Sequence, residues 1–180
     1  MTARAFETDP FWKFLFPTGD FLTRAAQLAS FELTHVHLRN DEVWTTTGEM
    51  QGVAMWAPPD KWRQSTRETI RTAPSMLRIF GPRALRLLSV MNAIEKAHPP
   101  GPHYYLGVLG TDPSHQSKGV GSAVLEPVLE RCDEEGLGAF LESSKEQNIA
   151  FYNRQGFEVT RKLDLPVGAP PMWAMWREPR

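Results

Sequence analysis

The stretch with the clearest chemical capacity is Gln116-Ser-Lys-Gly-Val-Gly121. Glycines free backbone N–H groups to converge on an anion, and a helix starting at the turn adds a partial positive charge. Lys118 supplies a cation beside them. A phosphate or pyrophosphate is the natural ligand of such a turn, and a plain helix start shares its look. A P-loop needs G-x-x-x-x-G-K-[ST], which is absent. A dinucleotide fingerprint finds Gly119 and Gly121, with Glu142 lying 21 residues beyond Gly121 as a ribose-binding acid. Three features oppose it. Val124 holds the third glycine position, the Leu109-to-Gly119 segment is too long for a tight turn, and only 38 residues follow Glu142. His35-Val-His37 offers two ligands with no acidic or cysteine companion at metal spacing, so a surface or packed pair is expected, and no metal. Cys132 falls mid-helix, where a buried apolar role outweighs that of a nucleophile.

The elements that must position these residues read as a mixed α/β (α+β) chain. After about residue 100, strand-like and helix-like segments alternate: a strand over 103–109, a helix over 119–135 ended by Gly136, and a short buried strand over 139–142. A short helix over 149–155 follows, capped by Gly156, and then a strand pair over 157–165 and 172–176. Pro127 removes one hydrogen bond inside the helix after the glycine turn and should bend it. Before residue 100 the spacing predicts a helix over 21–38, an antiparallel hairpin from 43–47 and 52–57 ended by Pro58-Pro59, and a short helix over 65–72. A further helix over 83–97 carries an apolar stripe of Ala84, Leu87, Leu88, Met91 and Ile94. Pro99-Pro100-Gly101-Pro102 stops it. Trp44, Trp56, Trp173 and Trp176 fall on strands and are expected in the core.

Composition bounds the rest. The chain of 180 residues is long enough for one domain with a sizeable core, and 41% hydrophobic with 23% charged residues is too apolar for disorder. Lys and Arg (20) nearly cancel Asp and Glu (21), which argues against nucleic-acid binding through a global positive field. One cysteine allows no intrachain disulfide and suits a reducing compartment. No run of apolar residues is long enough for a membrane span, and the N-terminal residues show no signal-peptide core, so a cytoplasmic location is expected.

Two motifs, taken together, resemble a known family. Gln116 to Gly121 fits the pattern Q/R-x-x-G-x-G/A, and Asn148-Ile-Ala-Phe-Tyr-Asn-Arg-Gln-Gly-Phe157 supplies an amide and a tyrosine before Gly-Phe. Both are similar to signatures of the GNAT N-acetyltransferases. Asp112-Pro-Ser-His-Gln116, Gly121-Ser-Ala-Val124 and Phe140-Leu-Glu-Ser-Ser144 look most like the puromycin N-acetyltransferase-like branch. Gly52-Val-Ala-Met-Trp56 with Pro58-Pro59 does so more loosely. The resemblance covers about residues 103–177 and is faint before residue 100.

The resemblance implies a GNAT-like, mostly antiparallel central sheet flanked by helices, with a strand–glycine turn–helix acyl-CoA site. It divides one domain over 1–180 into an acceptor-side half (1–100) and an acetyl-CoA-binding half (101–180). The backbone of Leu109, Gly110 and Thr111 would pair with the pantetheine arm. Gln116, Ser117, Lys118, Gly119, Val120, Gly121 and Ser122 would wrap the pyrophosphate. Asn148 would bond the cofactor or fix its loop, although it lies four residues before the tyrosine where many family members have about seven. Tyr152 matches the general acid that protonates departing CoA, and Glu142 at a strand end is the candidate base or acceptor-orienting carboxylate. The implied reaction transfers acetyl from acetyl-CoA to an amine, in a small molecule or a protein. A non-catalytic acyl-CoA-binding module is the alternative. A homodimer is compatible with this reading; nucleic acid and membrane are not expected partners. Phe11, Trp12, Phe14, Leu15 and Phe16 would line the acceptor pocket or dock on the domain.

Overall fold

The computed structural model describes residues 1–63 and 65–180, apart from the side chain of Arg39. Six strands form one sheet: β1 (Val43–Thr45), β2 (Gly52–Ala57), β3 (Tyr104–Thr111), β4 (Ala139–Ser143), β5 (Glu158–Leu163) and β6 (Met172–Arg177). Their order is β1-β2-β3-β4-β6-β5. β3 and β4 are parallel, and the other neighbours are antiparallel. Parallel neighbours need a crossover, and α6 (Val120–Glu135) supplies it.

α6 buries Val124, Leu125, Val128, Leu129 and Cys132, one face of a 3.6-residue period. That face packs on Tyr104, Leu106, Leu141 and Met175. The helix runs on through Pro127 and ends at Gly136 in the left-handed region. α7 (Ile149–Arg154) joins the same layer through Tyr152 and Phe151.

The other face of the sheet carries the N-terminal helices. α1 (Thr2–Ala5) and α2 (Pro10–Leu15) precede α3 (Phe21–Glu32), α4 (Thr66–Phe80) and α5 (Ala84–Glu95). α2 was legible only as an aromatic cluster. Asp9 caps it by accepting from the amides of Phe11 and Trp12, with Pro10 at the first helical position. Phe11, Trp12, Leu15 and Phe16 are buried against Phe140 and the neighbouring helices, so the cluster docks on the sheet.

Four sequence expectations change. α4 extends to Phe80 rather than Thr72: a capping box of Ser65 and Glu68 starts it, and it continues through Pro74. On α5, Leu87, Val90 and Ile94 are buried, while Leu88 and Met91 of the expected stripe are about half exposed. The expected helix over 21–38 is α-helical only to Glu32, after which Leu33–His37 form a π turn. The extra residue per turn carries His37 inward, where its Nδ1 lies 2.8 Å from the carbonyl of Trp56. Trp56 is fully buried, but Trp44, Trp173 and Trp176 are only half-buried.

Two local features of β3 set up the site. The first is a fork. β3 and β4 pair only at Tyr104↔Ala139, Tyr105↔Phe140 and Leu106↔Leu141. Beyond Leu106, β3 follows β2 as far as Thr111, while β4 follows β6 as far as Ser143. The second is a bulge. Met55 faces Val108 and Trp56 faces Leu106, so Gly107 is the extra residue. Tyr104 and Leu106 face α6, whereas Val108 packs with Val53 and Met55 on the opposite face.

Candidate active site

The fork leaves backbone groups without a ladder partner. The amide of Asp112 donates to the carbonyl of Gln51 at 2.8 Å, so it points toward β2. By the alternation of an extended strand, the amides of Leu109 and Thr111 point away from β2, into the open fork. Gly110 differs from the sequence expectation: the same alternation turns its amide to β2, where it is paired with Val53. Its α-carbon packs on Ala5 and Phe6.

The glycine turn lies at the mouth of this fork. Asp112 fixes its entry by accepting from the hydroxyl and amide of Ser114, at 2.7 and 3.1 Å, and Arg4 reaches its other oxygen at 2.5 Å. These bonds hold the Asp112 carboxyl down at about 2, Ser114 contributing first. Ser117 and Gly119 both have positive φ, 60° and 81°. The first α6 bond is from the amide of Ala123 to the carbonyl of Gly119. The amides of Val120, Gly121 and Ser122 are therefore the orphan donors of the helix start, a ready anion cradle.

Side chains around the turn are partly committed. Lys118 Nζ donates to the carbonyl of Ser114 at 2.9 Å, and Gln116 Nε2 reaches the carbonyl of Thr111 at 3.4 Å. The hydroxyl of Ser122 accepts from Gln155 at 3.0 Å, tying α7 to α6. Gly119 faces open space, but a Cβ on Gly121 would meet the ring of Phe151 at 3.2 Å. Gly121 thus permits close packing of α7 beside the helix start, where its amide is one of the orphan donors. Asn148 is exposed at the start of α7, one turn before Tyr152.

Glu142 and Tyr152 approach the fork from opposite faces of the sheet. Glu142 is the first residue of β4 beyond the last pair with β3. It shares a face with Phe140, which packs with the N-terminal helices. Its side chain is only 3% exposed, and burial raises its carboxyl to about 8. Tyr105 lies alongside it, its hydroxyl pushed well up by burial and by the Glu142 charge. Tyr152 is buried in the α6 layer with Leu106 and Leu141. Burial, then the nearby Asp9 carboxylate, raise its phenol well above the ordinary range, so it stays protonated. Asp9 also accepts from the hydroxyl of Ser144, which ties α2 to the end of β4.

The groups behind Glu142 are not among the residues singled out from the sequence. His98 Nε2 lies 3.6 Å from Glu142 Oε1, and His98 Nδ1 lies 3.1 Å from His103 Nε2. Trp62 stacks on His98 with centroids 3.6 Å apart. A usable signal was present: two histidines flank Pro99-Pro100-Gly101-Pro102, a rigid segment able to return the chain on itself. The His35–Val–His37 pair is packed, His35 against Phe31 and His37 under Trp56. Cys132 is buried, its thiol pushed up to about 12 by desolvation, which makes it inert.

A family model for the acetyltransferase (GNAT) family matches residues 43–157, spanning the hairpin, the fork, the glycine turn and α7. The chain belongs to the acetyltransferase (GNAT) family. An uncharacterised N-acetyltransferase of Schizosaccharomyces pombe is 27% identical over 143 residues, 73% of this chain and 58% of that relative's length. A Corynebacterium glutamicum structure described as histone acetyltransferase HPA2 and related acetyltransferase matches with a TM-score of 0.71 and 26% identity. That match covers 99% of this chain and 87% of that one. The polyamine N-acetyltransferase of Drosophila melanogaster shares the fold at a TM-score of 0.54 and 14% identity, over 85% of this chain and 94% of that one. The expected mixed, mostly antiparallel sheet is the GNAT fold. Among the described residues, no helix is long and apolar enough to cross a membrane.

Proposed function

We propose that this chain transfers an acetyl group from acetyl-CoA to the amine of a small molecule, by direct attack in a ternary complex. The fork beyond Leu106↔Leu141, ending at the glycine turn, carries the reading. Unpaired amides along β3 suit the amides of a pantetheine arm, and the α6 start suits a pyrophosphate. The thioester then lies in the fork, with Tyr152 on one face of the sheet and Glu142 on the other.

The amine enters from the helical face. Glu142 accepts its ammonium proton, the neutral nitrogen attacks the thioester carbon, and the amide of Leu109 supports the developing oxyanion. The C–S bond breaks, the sulfur takes the phenolic proton of Tyr152, and the second proton that the nitrogen loses as it becomes an amide returns through solvent to the phenolate. A base raised to about 8 is better matched to an ammonium than an ordinary carboxylate is. Almost complete burial of the Glu142 side chain fits a slim amine better than a broad peptide surface. A protein amine is the second acceptor class, and thiol release with peptides beside small amines separates the two.

Calorimetric titration tests the donor: acetyl-CoA binds and NAD does not. NAD binding without CoA binding would overturn the assignment. Thiol release with an amine panel tests turnover, and binding without release would leave a non-catalytic acyl-CoA module. Glu142→Gln tests the base. The variant loses rate with basic acceptors and partly recovers with acceptors of low amine pKa, which are already neutral. A loss independent of acceptor pKa would reassign Glu142 to positioning.

A further inference from the structure

We propose that His98 is a positioning residue for Glu142, and that His103 fixes the ring form in which it acts. The inference rests on the acetyltransferase reading for its kinetic meaning, and on hydrogen-bond chemistry alone for its geometry. His98 follows α5 and His103 precedes β3, with Pro99-Pro100-Gly101-Pro102 between them. His103 is 1% exposed, and the His98 side chain 4%.

The ring forms follow from the acceptor at the far end. His103 Nδ1 lies 2.9 Å from the carbonyl of Gly101. A carbonyl only accepts, so Nδ1 carries the proton. Burial disfavours the charged form of both rings. The neutral His103 ring therefore presents a lone pair at Nε2, 3.1 Å from His98 Nδ1. His98 must donate there, which leaves its own Nε2 unprotonated. That lone pair faces Glu142 Oε1 at 3.6 Å, beyond hydrogen-bond length. Glu142 Oε1 is buried and has no hydrogen-bond partner among the described residues. Trp62 stacks on the ring and Phe140 and Tyr105 pack around it, so it cannot swing away to another partner.

A lone pair opposite a carboxyl oxygen repels the anion and welcomes the acid. The other ring form would donate to the carboxylate, favour the anion and weaken it as a base. The pair thus maintains the basicity that lets Glu142 take a proton from the acceptor ammonium, the nitrogen losing the proton that the carboxylate gains. Other groups that set this balance are few. Tyr105 on β3 faces Glu142 directly, and Glu32 on α3 acts on Tyr105. Arg63 faces His98, and Asp60 faces His103.

Long-range proton–nitrogen correlation spectra of histidine-labelled protein at pH 7 test the ring forms without any substrate. Spectra of His98→Gln and His103→Gln assign the signals. Both rings are expected neutral with the proton on Nδ1. A His98 ring protonated on Nε2, or charged, would overturn the proposal whether or not the chain turns over acetyl-CoA. Kinetics then tests the consequence. His103→Phe removes the acceptor for His98 Nδ1, so His98 is free to donate to Glu142 through Nε2. The acidic limb of kcat/KM should move down by about one pH unit, with turnover of basic acceptors falling roughly tenfold. His103→Gln keeps a carbonyl acceptor and should restore the limb. An equal loss at every pH, with the limb unmoved, would reduce the pair to a structural role and also overturn the proposal.

Discussion

Tyr152 and Glu142 are both buried and both raised by burial, and the same upward shift suits an acid at one and a base at the other. A buried phenol is held in the protonated form that a leaving thiolate needs. A buried carboxyl raised to about 8 becomes a stronger base when it does ionise. Tyr152→Phe keeps the ring packed against Phe151 and Phe157 and removes only the donor. Turnover should fall about 10²–10⁴-fold with little change in acetyl-CoA affinity. Steady-state kinetics with calorimetry checks this, and wild-type turnover where chemistry is rate-limiting would demote Tyr152 to packing. The two glycines of the turn separate in the same way. Gly119 sits at φ 81° in open space, so Gly119→Ala meets backbone strain of about 1–2 kcal/mol and should weaken acetyl-CoA binding by distorting the cradle. Gly121→Val presses on Phe151, next to Tyr152, and should lower turnover as well as affinity. Equal effects of both substitutions on affinity alone would show that Gly121 acts only through the cradle.

The bulge at Gly107 is the element on which the fork depends. It reverses the facing of β3, so that Tyr105 lies beside Glu142 while the amides of Leu109 and Thr111 open into the fork. A Cβ on Gly107 would come within 3.0 Å of the His37 ring, which is held by the carbonyl of Trp56. Gly107→Val should therefore cost about 1–3 kcal/mol by overpacking, read by denaturant unfolding. An unchanged midpoint would mean that the ring yields freely. None of this was visible in sequence: a bulge depends on the partner strand, and Met55 and Trp56 lie some fifty residues before Gly107. Elements whose signals are local were legible. β2 lies over Gly52–Ala57 as read, and Gly136 ends α6 as expected. Where a local signal competed with packing, packing won. Pro74 did not end α4, and α5 turned Val90 inward and Met91 outward because its neighbours are α3, α4 and the sheet, not the pattern of its own stripe. The motif residues of the site were readable because they are close in sequence. Asp9 with Ser144, and His98 with Glu142, were not, since only the fold brings them together.

At the scale of the whole molecule, the sheet separates the α6 layer from the N-terminal helices, and the side of those helices holds two raised acids, buried Glu142 and part-exposed Glu32. Glu142 is raised to about 8 and Glu32 to about 7, each chiefly by burial, against a usual 4.5. Between about pH 4.5 and 8 the folded chain keeps protons that the unfolded chain has lost, so these two groups make stability fall as pH rises. Histidines act the other way. His98 is lowered to about 3 from 6.5 by burial and by its neighbours His103 and Arg63, and His103 is lowered too. The unfolded chain therefore takes up protons below about pH 6.5 that the folded chain refuses, and stability falls as pH drops from there. The lowered carboxyls of Asp112 and Asp133 add to that loss below about pH 4. From pH 4.5 to 6.5 the two sets oppose each other; above 6.5 the two raised acids carry the change, Glu142 more than the part-exposed Glu32. Stability should thus peak near pH 5–6.5 and decline toward pH 8–9, as followed by urea unfolding at stepped pH. Glu142→Gln removes one of the two acids and should flatten the alkaline decline while leaving the acid limb in place. A wild-type chain whose stability is level from pH 6.5 to 9 would show that Glu142 and Glu32 are ionised in the folded protein. The base proposed at the fork would then be an ordinary carboxylate, poorly matched to an ammonium proton.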